Sequence, residues 1–62
     1  MTNTAYSTRR AELVSNLHFL LSKHLYLSAR DRIRKIADLD YEHKGIDREV
    51  TKEMFNYKRL KQ

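Results

Sequence analysis

Gly45 is the only glycine in 62 residues, and there is no proline. A chain so short of breakers can hardly be built from strands. Hairpins need turn residues at short intervals, and no Asn-Gly, Asp-Gly or Gly-Gly pair occurs. The expected fold class is therefore all-α, with about three helices over residues 1–62. Length then sets the energetic problem. Below about 70–80 residues one core rarely supplies more than roughly 3–5 kcal/mol, so small folds recruit disulfides, a metal or a partner subunit. Cysteine is absent, which removes disulfides and the thiolates of a zinc site. A homodimer is the remaining device, face-packed or intertwined. A chain this small also has little wall from which to enclose a pocket, so the expectation is a non-enzyme with no cofactor.

Hydrophobic spacing places the helices. The first nine residues are polar and unpatterned, so residues 1–7 are expected to fray, with Ser7 or Thr8 capping the first helix. Leu13, Leu17, Leu20, His24 and Leu27 recur at steps of four and three, widened by Val14 and Leu21. Phe19, Leu25 and Tyr26 fall outside that stripe, leaving the helix apolar on a second side. One side can face its own chain and the other a second subunit. The expected dimer interface is Leu13, Leu17, Leu20, Leu21, His24 and Leu27. His24 paired with its symmetry mate would set register as a buried polar residue does in coiled coils, and mild acid would then loosen the dimer.

The end of this helix is less clearly marked. Ser28-Ala29-Arg30-Asp31 resembles a capping box with Asp31 in place of the usual Glu, which favours a break near residues 25–28; one long bent helix is the alternative. Ala29, Ile33, Ile36, Ala37 and Asp40 or Tyr41 share a face of the second helix. Its end is well signalled by His43, Lys44 and Gly45. Asp47 caps a third helix with Val50, Met54, Tyr57 and Leu60 on its apolar edge, Phe55 off that edge, and Ile46 able to pack on Val50. The candidate core is Leu13, Val14, Leu17, Leu20, Leu21, Ile33, Ile36, Val50, Met54 and Tyr57. The chain is expected to fray again at 61–62.

Charge is unevenly distributed. The net charge is +5: residues 1–29 and 50–62 carry the excess, and 30–49 hold equal numbers of both signs. Arg30, Arg32, Arg34 and Lys35 precede Asp38, Asp40 and Glu42, an order that mostly opposes the helix dipole. Phosphate or an acidic partner surface would suit such arginines. Local pairing is the plainer explanation, since Asp31–Lys35, Arg34–Asp38 and Asp40–Lys44 all sit at i, i+4. Lys58, Arg59 and Lys61 form a second basic group, interleaved with Phe55 and Tyr57 in a pattern that can bind nucleic acid. Ile36-Ala37-Asp38-Leu39 resembles part of a helix-turn-helix, but Gly45 comes too late for that motif's turn; a third helix entering a groove through Arg48, Lys52 and Asn56 is the variant left open.

Other chemistries lack a pattern. His18 and His24 are six apart rather than four, and no metal site is expected from them or His43. No nucleophile, glycine loop or carboxylate pair stands out. Residues 13–27 hold nine apolar residues, interrupted by Asn16, His18, Lys23 and His24, which suits neither a signal peptide nor a membrane span. No membrane contact and a cytoplasmic location are expected.

The stretch Arg10-Ala11-Glu12-Leu13-Val14-Ser15-Asn16-Leu17-His18-Phe19-Leu20-Leu21 resembles the small early-region proteins encoded between the exonuclease and excisionase genes of lambdoid bacteriophages. The likeness covers about a third of the chain and contains no functional motif, so it transfers no site residue. It implies a bacterial host cytoplasm and an influence on the choice between lysis and lysogeny. The preferred functional reading is a regulatory adaptor that binds a host or phage protein through a helical face. The alternative is a small DNA- or RNA-binding regulator using Arg30, Arg32, Arg34, Lys35, Lys58, Arg59 and Lys61.

Overall fold

The computed structural model describes residues 2–60. They form α1 (Asn3–Ser22), α2 (Tyr26–Lys44) and α3 (Arg48–Met54), followed by a single 3-10 turn over Tyr57–Arg59. No strand occurs among the described residues. Helices α1 and α2 pack as a hairpin, and α3 folds back on α2.

The first helix begins well before the expected cap. Thr2, not Ser7 or Thr8, is the N-cap, its hydroxyl accepting the Ala5 N–H at 3.1 Å. Residues 3–9 are helical rather than frayed because tertiary contacts hold them. The Tyr6 ring stacks on His43 with centroids 4.4 Å apart. Asn3 Oδ1 lies 3.2 Å from His43 Nε2, and the Tyr6 hydroxyl reaches Asp40.

Three residues in left-handed backbone make the three reversals of the chain: His24 (φ 57°), Gly45 (φ 68°) and Asn56 (φ 56°). Helix α1 ends in a Schellman motif, with Leu25 N–H on Leu20 C=O and His24 N–H on Leu21 C=O. A histidine occupies the position glycine usually fills. The break is thus at residues 23–25, just ahead of the 25–28 expected, and Ser28 is not its cap but a residue inside α2. Helix α2 ends as its sequence predicts. Gly45 sits in the left-handed position, Ile46 N–H returns to Asp40 C=O at 3.4 Å, and Asp47 then caps α3 by accepting the Glu49 N–H at 2.8 Å.

The apolar core consists of Leu13, Leu17, Ala29, Ile33, Ile36 and Ala37. Val14, Leu20, Leu21, Leu39, Phe55, Tyr57 and Leu60 pack around its margin. The expected inner edge of the third helix is corrected: Val50 and Met54 are 51% and 61% exposed, while Thr51 is fully buried and Phe55 packs inward. The Thr51 hydroxyl donates to the buried Asp40 carboxylate, and this polar bond sets the rotation of α3. Turning Val50 inward would take that donor away.

Among the described residues no helix is long and apolar enough to cross a membrane. The αL residues give a paired test. A Cβ at Gly45 would meet no atom within 4 Å, so Gly45→Ala carries only the backbone cost, about 1 kcal/mol. His24→Gly relieves the same strain and is expected to stabilise by about 0.5–1 kcal/mol. Thermal melts followed by circular dichroism should show shifts of opposite sign.

Candidate functional site

Two polar clusters are built into this fold. The first centres on Asp40, 1% exposed. Its Oδ1 accepts the Tyr6 hydroxyl at 2.7 Å and Arg10 Nε at 3.0 Å; its Oδ2 accepts Arg10 Nη2 at 3.3 Å and the Thr51 hydroxyl at 3.0 Å. Four donors thus meet the roughly four acceptor directions of a carboxylate. Burial pushes the Asp40 carboxyl up, but the bonds from Arg10, Tyr6 and Thr51, with the Arg10 charge, outweigh it and hold the group below its ordinary value. The Tyr6 hydroxyl is raised, first by burial and then by its bond to Asp40. Asp40 therefore does not pair with Lys44 as the i, i+4 spacing suggested.

The second cluster surrounds Tyr57. The αL turn at Asn56 and the 3-10 turn bring this ring against α2, where Arg30 and Arg34 lie one helical turn apart. The Arg30 guanidinium carbon is 4.6 Å from the ring centroid, that of Arg34 5.9 Å, and Lys52 Nζ 5.1 Å. Arg34 Nε donates to the Tyr57 hydroxyl at 2.9 Å. That bond holds the pKa of the phenol below its ordinary value, against the upward push of burial and with help from Arg30. Among the described residues neither arginine has a carboxylate within salt-bridge distance, whereas Lys52 reaches Glu49 at 3.5 Å. A shallow hollow of about 250 Å³ beside the ring is lined by Lys52, Tyr57, Lys58 and Arg59, with Glu49, Glu53 and Asn56.

The basic run of α2 is consequently divided. Arg30 and Arg34 turn to Tyr57. Arg32 donates to Asn16 of α1, and Lys35 pairs with Asp31 at 3.6 Å, as its spacing suggested. Arg34 does not pair with Asp38, which is held instead by Arg48 at 2.6 Å. Lys58 and Arg59 are exposed beside the Tyr57 hollow; Lys61 lies outside the described residues. Arg48, Lys52 and Asn56 do not present one groove-reading face: Arg48 is engaged with Asp38 and Tyr41, Lys52 with Tyr57, and Asn56 lies beyond the end of α3.

The expected dimer residues also separate. Leu13 and Leu17 are buried in the chain's own core and have almost no surface left for a second subunit. Leu20 and Leu21 pack at its margin. His24 and Leu27 leave the Leu13 stripe because α1 stops at Ser22. His24 is exposed in the turn, its Nδ1 2.9 Å from the Tyr26 hydroxyl, and Leu27 is 59% exposed on the first turn of α2. Phe19 and Leu25 are likewise exposed. The Tyr6–Arg10–Thr51 shell of Asp40 was the main feature missed; its one visible signal was an acid on the apolar face of the second helix.

No family model matches this chain, and no curated protein or solved structure shows significant similarity to it.

The Asp40 cluster makes stability sensitive to acid. With its folded-state value depressed, Asp40 contributes stability that is complete above the unfolded carboxyl value of 3.8 and is lost as pH falls through the lower folded value. Melts between neutral pH and pH about 3 should show a steep acid loss that is flattened in Asp40→Asn. At neutral pH, Asp40→Ala should cost about 3 kcal/mol, because Arg10 is left beside an empty site; Tyr6→Phe should cost about 1.5 kcal/mol.

Proposed function

We propose that this chain is a small non-catalytic regulatory adaptor, active as a homodimer, that binds a host or phage protein through its exposed helical surfaces. The observation that supports this reading is the balance of apolar residues. Among the described residues six are buried, and two of those are alanines, while Phe19, Leu25, Leu27, Tyr41, Val50 and Met54 are all about half exposed or more. Such a core belongs to the size class that commonly gains stability from a partner chain, and large apolar surfaces rimmed by charge are where partners dock. Phe19, Leu25 and Leu27 flank the elbow between α1 and α2. This is the outer side of the region that the two-sided apolar pattern assigns to a second subunit.

The resemblance of residues 10–21 to early-region proteins of lambdoid phages supports a setting in the bacterial host cytoplasm and an influence on the choice between lysis and lysogeny. A regulatory protein of this kind needs no reaction of its own; it changes what another protein does by occupying its surface.

Sedimentation equilibrium tests the dimer. Full burial of a large apolar side chain is worth about 1.5–3 kcal/mol, so Phe19→Ser combined with Leu27→Ser should raise the dimer dissociation constant about 100-fold, with helical content unchanged. A native chain that is monomeric throughout removes the homodimer. A dimer indifferent to these changes but broken by Val50→Ser with Met54→Ser moves the interface to α3. Affinity capture from phage-infected bacteria, with and without nuclease, then tests the adaptor role: protein partners should be retained after nuclease treatment.

A further inference from the structure

We propose that Arg30, Arg34 and Lys52, gathered on Tyr57, form a phosphate-binding site that holds the sugar–phosphate backbone of a nucleic acid, with Lys58 and Arg59 extending it.

Three positive groups stand within 6 Å of the centroid of one aromatic ring. The quadrupole of a ring attracts each cation separately, but it does not neutralise three charges. Among the described residues one carboxylate touches the group, Glu49 on Lys52 at 3.5 Å, and neither guanidinium group is paired with one. Arg34 spends its Nε on the Tyr57 hydroxyl, leaving the Nη groups for another acceptor. Arg30 Nε is buried with no hydrogen-bond partner among the described residues. Buried donors are normally satisfied, and an orphan of this kind marks a place where an acceptor belongs. Guanidinium groups with N–H forks to spare are the side chains best matched to phosphate oxygens.

Several features favour a polyanion over a single anion. Lys52 and Tyr57, which meet Arg30 and Arg34, also line the hollow shared with Lys58 and Arg59, where three bases stand against Glu49 and Glu53. The order of charges along α2 has the same sense. Its first turn contains no acid, and its arginines all lie in the N-terminal half, ahead of Asp38, Asp40 and Glu42. Arg32 and Lys35 interrupt the same stretch of sequence but are turned to Asn16 and Asp31. Cations already cover the Tyr57 ring, so recognition is of backbone charge and not of stacked bases, and it carries no sequence preference.

The division of the basic run supplies a charge-matched experiment. A fluorescently labelled oligonucleotide, single-stranded in one series and duplex in another, is titrated with the full chain while anisotropy is followed at several salt concentrations. Arg30→Gln with Arg34→Gln should weaken binding about tenfold or more and flatten the salt dependence. Arg32→Gln with Lys35→Gln, which removes the same net charge, should weaken it less than about threefold. Circular dichroism monitors folding of both pairs. Lys58→Gln with Arg59→Gln alters exposed side chains only and should weaken binding at least about threefold, so the proposal stays testable if the arginine pair unfolds the chain. Equal losses in the Arg30/Arg34 and Arg32/Lys35 pairs would mean general attraction and overturn the site, as would failure of the native chain to bind at low salt. Displacement of the oligonucleotide by poly-glutamate as readily as by polyphosphate would also overturn it, and would indicate an acidic protein surface as the ligand.

Discussion

A carboxylate removed from water must be given back every hydrogen bond it has lost, and Asp40 imposes that condition on the rest of the molecule. Its four donors come from residues 6, 10 and 51, so α1, α2 and α3 can satisfy it only in one mutual register. Apolar contacts alone would tolerate sliding or rotation, because Leu, Ile and Ala surfaces exchange neighbours at low cost. A buried ion pair seldom adds net stability over an apolar replacement. Its contribution here is selection: it chooses the Thr51 face of α3 over the more apolar Val50 and Met54 face and fixes the first two turns of α1 on the end of α2.

Much of this is legible in the sequence. Scarce breakers and three- and four-residue spacing specify helices, and Leu13, Leu17, Ile33 and Ile36 belong to the core on either evidence. Gly45 and Asp47 mark their turn because the chemistry of a left-handed residue and of an N-cap is local. What stayed hidden was tertiary. Residues 3–9 look unstructured because their support comes from His43 and Asp40, more than thirty residues away. His24 fell on an apolar stripe by spacing, while the chain uses it to reverse direction. Met54 and Val50 formed the better hydrophobic edge, and a polar bond overruled them.

The candidate site was visible as a composition and not as a shape. Arg30, Arg32, Arg34 and Lys35 read as one cluster along the chain, yet a helix sends consecutive residues in different directions, and only the i, i+4 pair shares a target. That target, Tyr57, arrives through a reversal at Asn56 that nothing in the spacing announces. The division also separates two kinds of surface. Exposed apolar side chains lie near the α1–α2 elbow, whereas the arginines turned to Tyr57 have no carboxylate partner among the described residues.

The three single-residue reversals bear on how such surfaces act. Only residues 23–25 separate α1 from α2, and only residues 45–47 separate α2 from α3; each reversal closes with backbone hydrogen bonds rather than a slack loop. The backbone that presents these side chains is therefore fixed before any partner arrives. Little backbone freedom remains to be surrendered on association, and ordering costs of that kind are a principal drain on affinity. A chain this small offers a partner few contacts. A preorganised backbone removes one of the costs that those contacts would otherwise have to offset.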